Sequence, residues 1–294
     1  MTGQSWNEHP IVFDCEGDRL LGIVTLPEEP IKTGVVIVVG GPQYRAGSHR
    51  QFTLLARHLA REGIASFRFD YRGMGDSEGD VRGFEVVDAD IRSAINAFLG
   101  HASGVTNIAL WGLCDAASAA LIYGHTDSRV KRMILLNPWV HTEQGAARVQ
   151  IKFYYLKRLL QLAFWAKLFS GRLELKAALG DLWSSFRSAS NASISGCESN
   201  VIGQRHKEPN YIDRMLDGLR AFKHEILLIL SGSDLTAKEF SGLVKTDRRW
   251  KEALDSPARA RQELLTSANH TFSSRGLRDQ VEKLTIVCMR KNDF

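Results

Sequence analysis

The sequence predicts an α/β fold: a mixed, mostly parallel sheet flanked by helices and interrupted by an inserted helical cap. Three observations carry this expectation. Apolar runs without polar alternation, such as residues 34–39, mark strands covered on both faces. Segments of helical periodicity alternate with these runs, as right-handed crossovers between parallel strands require. Between residues 140 and 221 the alternation stops, and it resumes afterwards. The core is therefore assigned to 1–139 and 222–294, and the cap to 140–221.

In chain order, residues 11–15 and 19–26 form a hairpin about Glu16-Gly17-Asp18, which makes the sheet mixed. The buried strand at 34–39 runs into Gly40-Gly41-Pro42. A helix over 51–61 places Phe52, Leu55, Ala56 and Leu59 on one stripe and ends near Gly63. A second buried strand, 65–70, opens a Gly-rich loop, and a helix spans 84–99. The strand 107–112 leads into a helix at 116–124, and another strand covers 131–137. Within the cap, 149–168 is amphipathic, with Phe153, Tyr154, Tyr155, Phe164 and Trp165 interleaved with Lys152, Lys157, Arg158 and Lys167. Its apolar side suits packing on the main domain; its basic side leaves contact with a membrane surface or an anionic polymer open. A strand at 225–230, a helix through Trp250, a strand near 262–266 and a helix from Ser274 complete the chain.

Of the 294 residues, 44% are hydrophobic and 24% charged, which suffices for a full core. A net charge of +5 falls short of a nucleic-acid footprint, so no nucleic-acid partner is expected. Cys15, Cys114, Cys197 and Cys288 are scattered, without the spacing of a disulfide framework or zinc site. Neither a secretory signal nor a stretch of membrane-spanning length is visible, so a cytoplasmic setting is expected. No metal or organic cofactor is implied.

The chemistry centres on Leu110-Trp111-Gly112-Leu113-Cys114-Asp115-Ala116. An apolar strand ends in a glycine, a cysteine follows two residues later, and small residues open a helix. This is the pattern of a nucleophile elbow, with Gly-x-Cys-x-Ala in place of Gly-x-Ser-x-Gly. A thiol needs a base to take its proton, and a carboxylate to orient that base. Asp234 and His270 each lie just beyond a late strand, on the sheet rim where Cys114 should also sit. The order nucleophile, acid, histidine is that of hydrolases built on such sheets. An oxyanion hole needs two N–H donors, assigned to Gly41 and to the backbone of Asp115, because Pro42 has none. Asp115's own charge would oppose thiolate formation. Tyr44, Arg45, His49 and Arg50 follow the glycine turn and are candidate substrate contacts, Arg45 or Arg50 for a carboxylate or phosphate. Asp70, Arg72 and Asp76 read as loop structure.

These motifs resemble the α/β-hydrolase superfamily over nearly the whole chain: Gly40-Gly41-Pro42, residues 70–77, the elbow, Gly232-Ser233-Asp234 and Asn269-His270-Thr271-Phe272. Residues 40–52, with Gly112-Leu113-Cys114-Asp115-Ala116, resemble more specifically the type 1 hydrolases associated with the exosortase A system. That resemblance implies a bacterial source and a role near exopolysaccharide production, without supplying a substrate. A cysteine nucleophile also resembles dienelactone-hydrolase-type enzymes and suits thioesters and activated esters. The expected activity is acyl hydrolysis of a small-molecule, lipid-linked or polysaccharide-linked substrate. Acyl transfer to a polysaccharide hydroxyl and a catalytically silent scaffold are the alternatives.

Overall fold

The computed structural model describes residues 5–41, 43–141, 210–255 and 260–290. Eight strands form one sheet: β1 (Trp6–Cys15), β2 (Asp18–Pro27), β3 (Thr33–Val38), β4 (Ser66–Phe69), β5 (Asn107–Leu113), β6 (Val130–Leu136), β7 (Glu225–Ser231) and β8 (Ala260–Leu265). Their spatial order is β1-β2-β4-β3-β5-β6-β7-β8. The β1–β2 and β2–β4 pairs are antiparallel and the remainder parallel, so the leading hairpin is what makes the sheet mixed.

Seven helices connect the described strands or close the chain: α1 (Gln51–Arg61), α2 (Asp88–His101), α3 (Asp115–Tyr123), α4 (Tyr211–Ala221), α5 (Leu235–Thr246), α6 (Arg248–Leu254) and α7 (Arg275–Arg290). The core has two halves because β3 alternates faces. Val36 and Val38 join a cluster with Phe67, Phe98 and Met215, whereas Val35, Ile37 and Val39 join Phe52, Leu59 and Met289. Helices therefore cover both faces, which accounts for the unbroken apolar reading of this strand.

Four elements differ from expectation. The helix expected over 84–99 begins only at Asp88, after a short 3-10 turn at Phe84–Val86. β1 begins at Trp6, not near residue 11, because its first half lies on a solvent-facing edge that leaves little hydrophobic signal. Pro10 is tolerated there, since an edge strand can lack one N–H. The helix expected to run to Trp250 is two helices. Asp247 breaks it, leaving the helical region and accepting the N–H of Arg249 to cap α6. Residues 211–221, placed at the end of the cap by the sequence, form α4, which packs against α3. Gly218 makes that approach: a Cβ there would lie 1.9 Å from the Leu121 carbonyl oxygen. The other cap expectations, including the basic amphipathic segment at 149–168, lie outside the described residues.

The loop after β4 is tied down by charge. Asp70 is fully buried and pairs with Arg45, accepting its backbone N–H at 2.6 Å as well. Arg72 is forked onto the buried Asp90, with contacts of 3.0 and 2.8 Å, and its backbone N–H adds a third at 2.8 Å. Replacing Asp90 by alanine would leave a buried guanidinium partly uncompensated. Urea unfolding should then show a loss of about 3–5 kcal/mol.

Candidate active site

β5 delivers the elbow. Cys114 has φ 63° and ψ −123°, a strained conformation for a residue with a side chain, and α3 starts immediately after it. Two neighbours make the turn feasible. A Cβ on Gly112 would meet the Ala116 carbonyl at 2.6 Å, and one on Gly40 would lie 3.0 Å from the Ala116 methyl. Gly40 thus supplies the room that allows alanine where this motif usually has its second glycine. The Cys114 N–H donates to Leu136 O at 2.8 Å, fixing the elbow to β6.

β7 and β8 bring the other two candidates to the same rim. The loops beyond them are joined by Gly232 N–H to Leu265 O at 2.9 Å and Ser233 N–H to Ala268 O at 3.0 Å. Asp234 both caps α5, accepting the Ala237 N–H at 3.0 Å, and meets His270 Nδ1 at 3.0 Å through the same oxygen. The His270 ring and the Cys114 side chain line the same cavity. Asp234 and then Cys114 stabilise the imidazolium against partial burial, raising the pKa of His270 to about 10. Burial pushes Asp234 up, but His270 and the α5 N–H groups outweigh it and hold the carboxyl below its usual range.

Asn137 and Ser231 were not anticipated from the sequence. Asn137, fully buried and left-handed at φ 44°, donates through Nδ2 to Ser231 Oγ (2.9 Å) and to the His270 carbonyl (3.0 Å). Its Oδ1 accepts the Ser231 N–H at 2.8 Å, and Ser231 Oγ donates to Asn269 O at 2.9 Å. The pair thus fixes the backbone that carries His270. The available signal was an Asn-Pro dipeptide at a strand end, where asparagine best tolerates positive φ. Asn137→Ala would leave several buried groups unpaired, and thermal melts should report a loss of about 2–3 kcal/mol.

The glycine turn departs from expectation in one respect. The Gly41 N–H does face the elbow, but it donates to Asp115 Oδ2 at 2.7 Å, so the side chain of one oxyanion-hole candidate occupies the donor of the other. Of the proposed substrate contacts, Arg45 is paired with Asp70 and with Asp76 (2.7 Å), which explains its place in the loop without a substrate. Tyr44 is exposed, with the Arg45 guanidinium 5.7 Å from its ring centroid. His49 and Arg50 are exposed and left-handed, at φ 52° and 60°, at the entry to α1.

A cavity of about 330 Å³ opens at Cys114 and His270. Its walls are Gly40, Gly41, Gln43, Leu113, Asp115 and the aromatic groups Phe52, Phe84 and Trp139. The sequence singled out none of Gln43, Phe84 or Trp139, because residues in separate loops share no periodicity. Among the described residues, no group of three or more His, Cys, Asp and Glu is arranged to hold a metal ion, and no helix is long and apolar enough to cross a membrane.

The sheet order, the left-handed elbow and the rim position of the acid and histidine define an α/β-hydrolase fold. Residues 31–234 match the family described as "Serine aminopeptidase, S33", and the chain belongs to that hydrolase family. Its elbow carries cysteine where the family's description names serine. No curated protein matches the sequence. Solved structures share the fold at low identity. The Pyrococcus furiosus esterase Pf2001 aligns with TM-score 0.64 and 13% identity over 97% of this chain and 91% of its own. Est1E from Butyrivibrio proteoclasticus, with ferulic acid bound, gives 0.58 and 16% over 96% and 100%. The esterase domain of a Rhodothermus marinus protein gives 0.59 and 15% over 98% and 100%.

Proposed function

We propose that the protein is an acyl hydrolase, an esterase or thioesterase, that works through a covalent acyl-cysteine. One observation carries this reading: His270, held by Asp234 at 3.0 Å, lines the same cavity as a cysteine on a left-handed elbow. His270 takes the Cys114 proton, and the sulfur attacks the acyl carbon. His270 then returns the proton to the leaving alkoxide or thiolate. In the second half it deprotonates water, which releases the acid and restores the thiol. The N–H groups of Gly41 and Asp115 stabilise the developing oxyanion once Gly41 is free of the Asp115 carboxylate.

Thioesters and activated esters fit best, because a thiolate is a good nucleophile for acyl groups with capable leaving groups. The apolar walls suit a hydrophobic acyl part. The resemblance of residues 40–52 and 112–116 to exosortase-associated hydrolases supports a cytoplasmic role beside bacterial exopolysaccharide production, with a lipid- or polysaccharide-linked acyl substrate.

The test is kcat/KM across acyl thioesters, activated esters and aminoacyl anilides, with Cys114→Ala as reference. Thioesters and activated esters should be hydrolysed at least about 100-fold faster than anilides, with turnover lost in Cys114→Ala. Preference for the anilides would overturn the esterase reading in favour of peptide-bond chemistry.

A further inference from the structure

The carboxyl of Asp115 lies where an oxyanion would be held. Oδ2 accepts the Gly41 N–H at 2.7 Å and Oδ1 the Ala116 N–H at 2.9 Å. Gly40 accommodates this arrangement, since a Cβ there would lie 2.0 Å from Oδ1. The Gly41 N–H, one of the two needed by the oxyanion, therefore ends on a carboxylate.

An ionised carboxylate beside a forming oxyanion opposes the reaction, because like charges in a partly desolvated site repel strongly. A neutral carboxylic acid has the reverse effect, since its O–H donates. Burial is the largest influence on Asp115 and pushes its pKa up; the neighbouring backbone N–H groups and His270 pull it down, and burial prevails. The titratable groups around it are Tyr71 from the loop after β4, itself buried, His270 from the loop after β8, and Cys114 on its own turn. The Gly40-Gly41 turn contributes no charged side chain.

We propose that Asp115 is an oxyanion-hole group: ionised, it closes the hole; neutral and swung off the Gly41 N–H, it is a third donor to the oxyanion. The step rests on the acyl-cysteine reading. As the Cys114 sulfur bonds the acyl carbon, the carbonyl π pair moves onto oxygen, held by the Gly41 N–H, the Asp115 N–H and the Asp115 O–H. When the carbonyl re-forms, the leaving-group bond breaks and the leaving group takes the His270 proton. Asp115 keeps its own proton throughout.

The competing account is a structural staple between the glycine turn and the elbow, for which the carboxyl's charge is immaterial. The experiment measures two rates at Cys114 by intact mass from pH 5 to 9: acylation by p-nitrophenyl acetate and alkylation by iodoacetamide. Alkylation needs the thiolate but no oxyanion hole, so the ratio of the two rates isolates the hole. In the wild type the ratio should rise as pH falls. In Asp115→Asn it should be flat, and at pH 8 at least about tenfold above wild type. A flat wild-type ratio overturns the proposal without any variant, as does an Asp115→Asn ratio at or below wild type throughout. Absence of acylation with alkylation intact overturns the acyl-cysteine reading instead, and this proposal with it.

Discussion

Asp234→Asn should lower kcat/KM for an activated ester by about 10²–10⁴-fold and move the alkaline limb of its pH profile down by several units. His270 holds its proton to about pH 10 because the Asp234 carboxylate, and then the Cys114 side chain, stabilise the imidazolium. In the proposed mechanism that proton passes to the leaving group, so wild-type activity falls as pH rises through about 10. Asparagine accepts a hydrogen bond but carries no charge, and the limb should move toward the ordinary imidazole value of 6.5. Stability follows the same sign. A histidine raised in the folded state contributes fully below about pH 6.5, and that contribution disappears as pH rises through about 10. Urea melts at pH 6 and pH 10 should therefore differ more for the wild type than for Asp234→Asn. An unmoved alkaline limb in the variant would remove Asp234 from the role of charge partner.

Gly112→Ala should cost about 3 kcal/mol of stability and abolish turnover. Its Cβ would fall 2.6 Å from the Ala116 carbonyl carbon and oxygen and 2.7 Å from the Ala117 nitrogen, all backbone atoms of α3. The clash cannot be relieved by turning a side chain; α3 must shift, taking the elbow with it. Gly83→Ala is the control, because nothing lies within 4 Å of a Cβ there and its φ is −71°. It should remain within about 0.5 kcal/mol of wild type by urea unfolding. Equal losses in the two variants would show that glycine flexibility, and not the close approach, sets the cost at 112.

Much of this site was legible because its signals are local. The Gly112–Ala116 spacing, the strand ends before Asp234 and His270, and the chain order of the three can be read without coordinates. β3 was legible for the same reason, as an apolar run covered on both faces. What escaped depends on partners distant in sequence. Arg45 reads as a candidate substrate contact until Asp70 and Asp76 fold against it. Asn137 reads as the last residue of a strand until Ser231 and the His270 carbonyl arrive 94 and 133 residues later. Nor could spacing reveal that the Asp115 carboxylate would occupy the Gly41 N–H, since that depends on one side-chain rotamer and the missing Cβ of Gly40. The outer half of β1 was lost because a solvent-facing edge strand lacks a strong apolar pattern.

The central claim is that Cys114 becomes acylated during turnover. The most direct measurement is intact mass and peptide mapping after brief exposure to an acyl thioester or activated ester, for wild type and Cys114→Ala. The account predicts one acyl group on the peptide containing Cys114 in the wild type, and neither adduct nor turnover in the variant. An adduct on another residue, or turnover undiminished in Cys114→Ala, would contradict it.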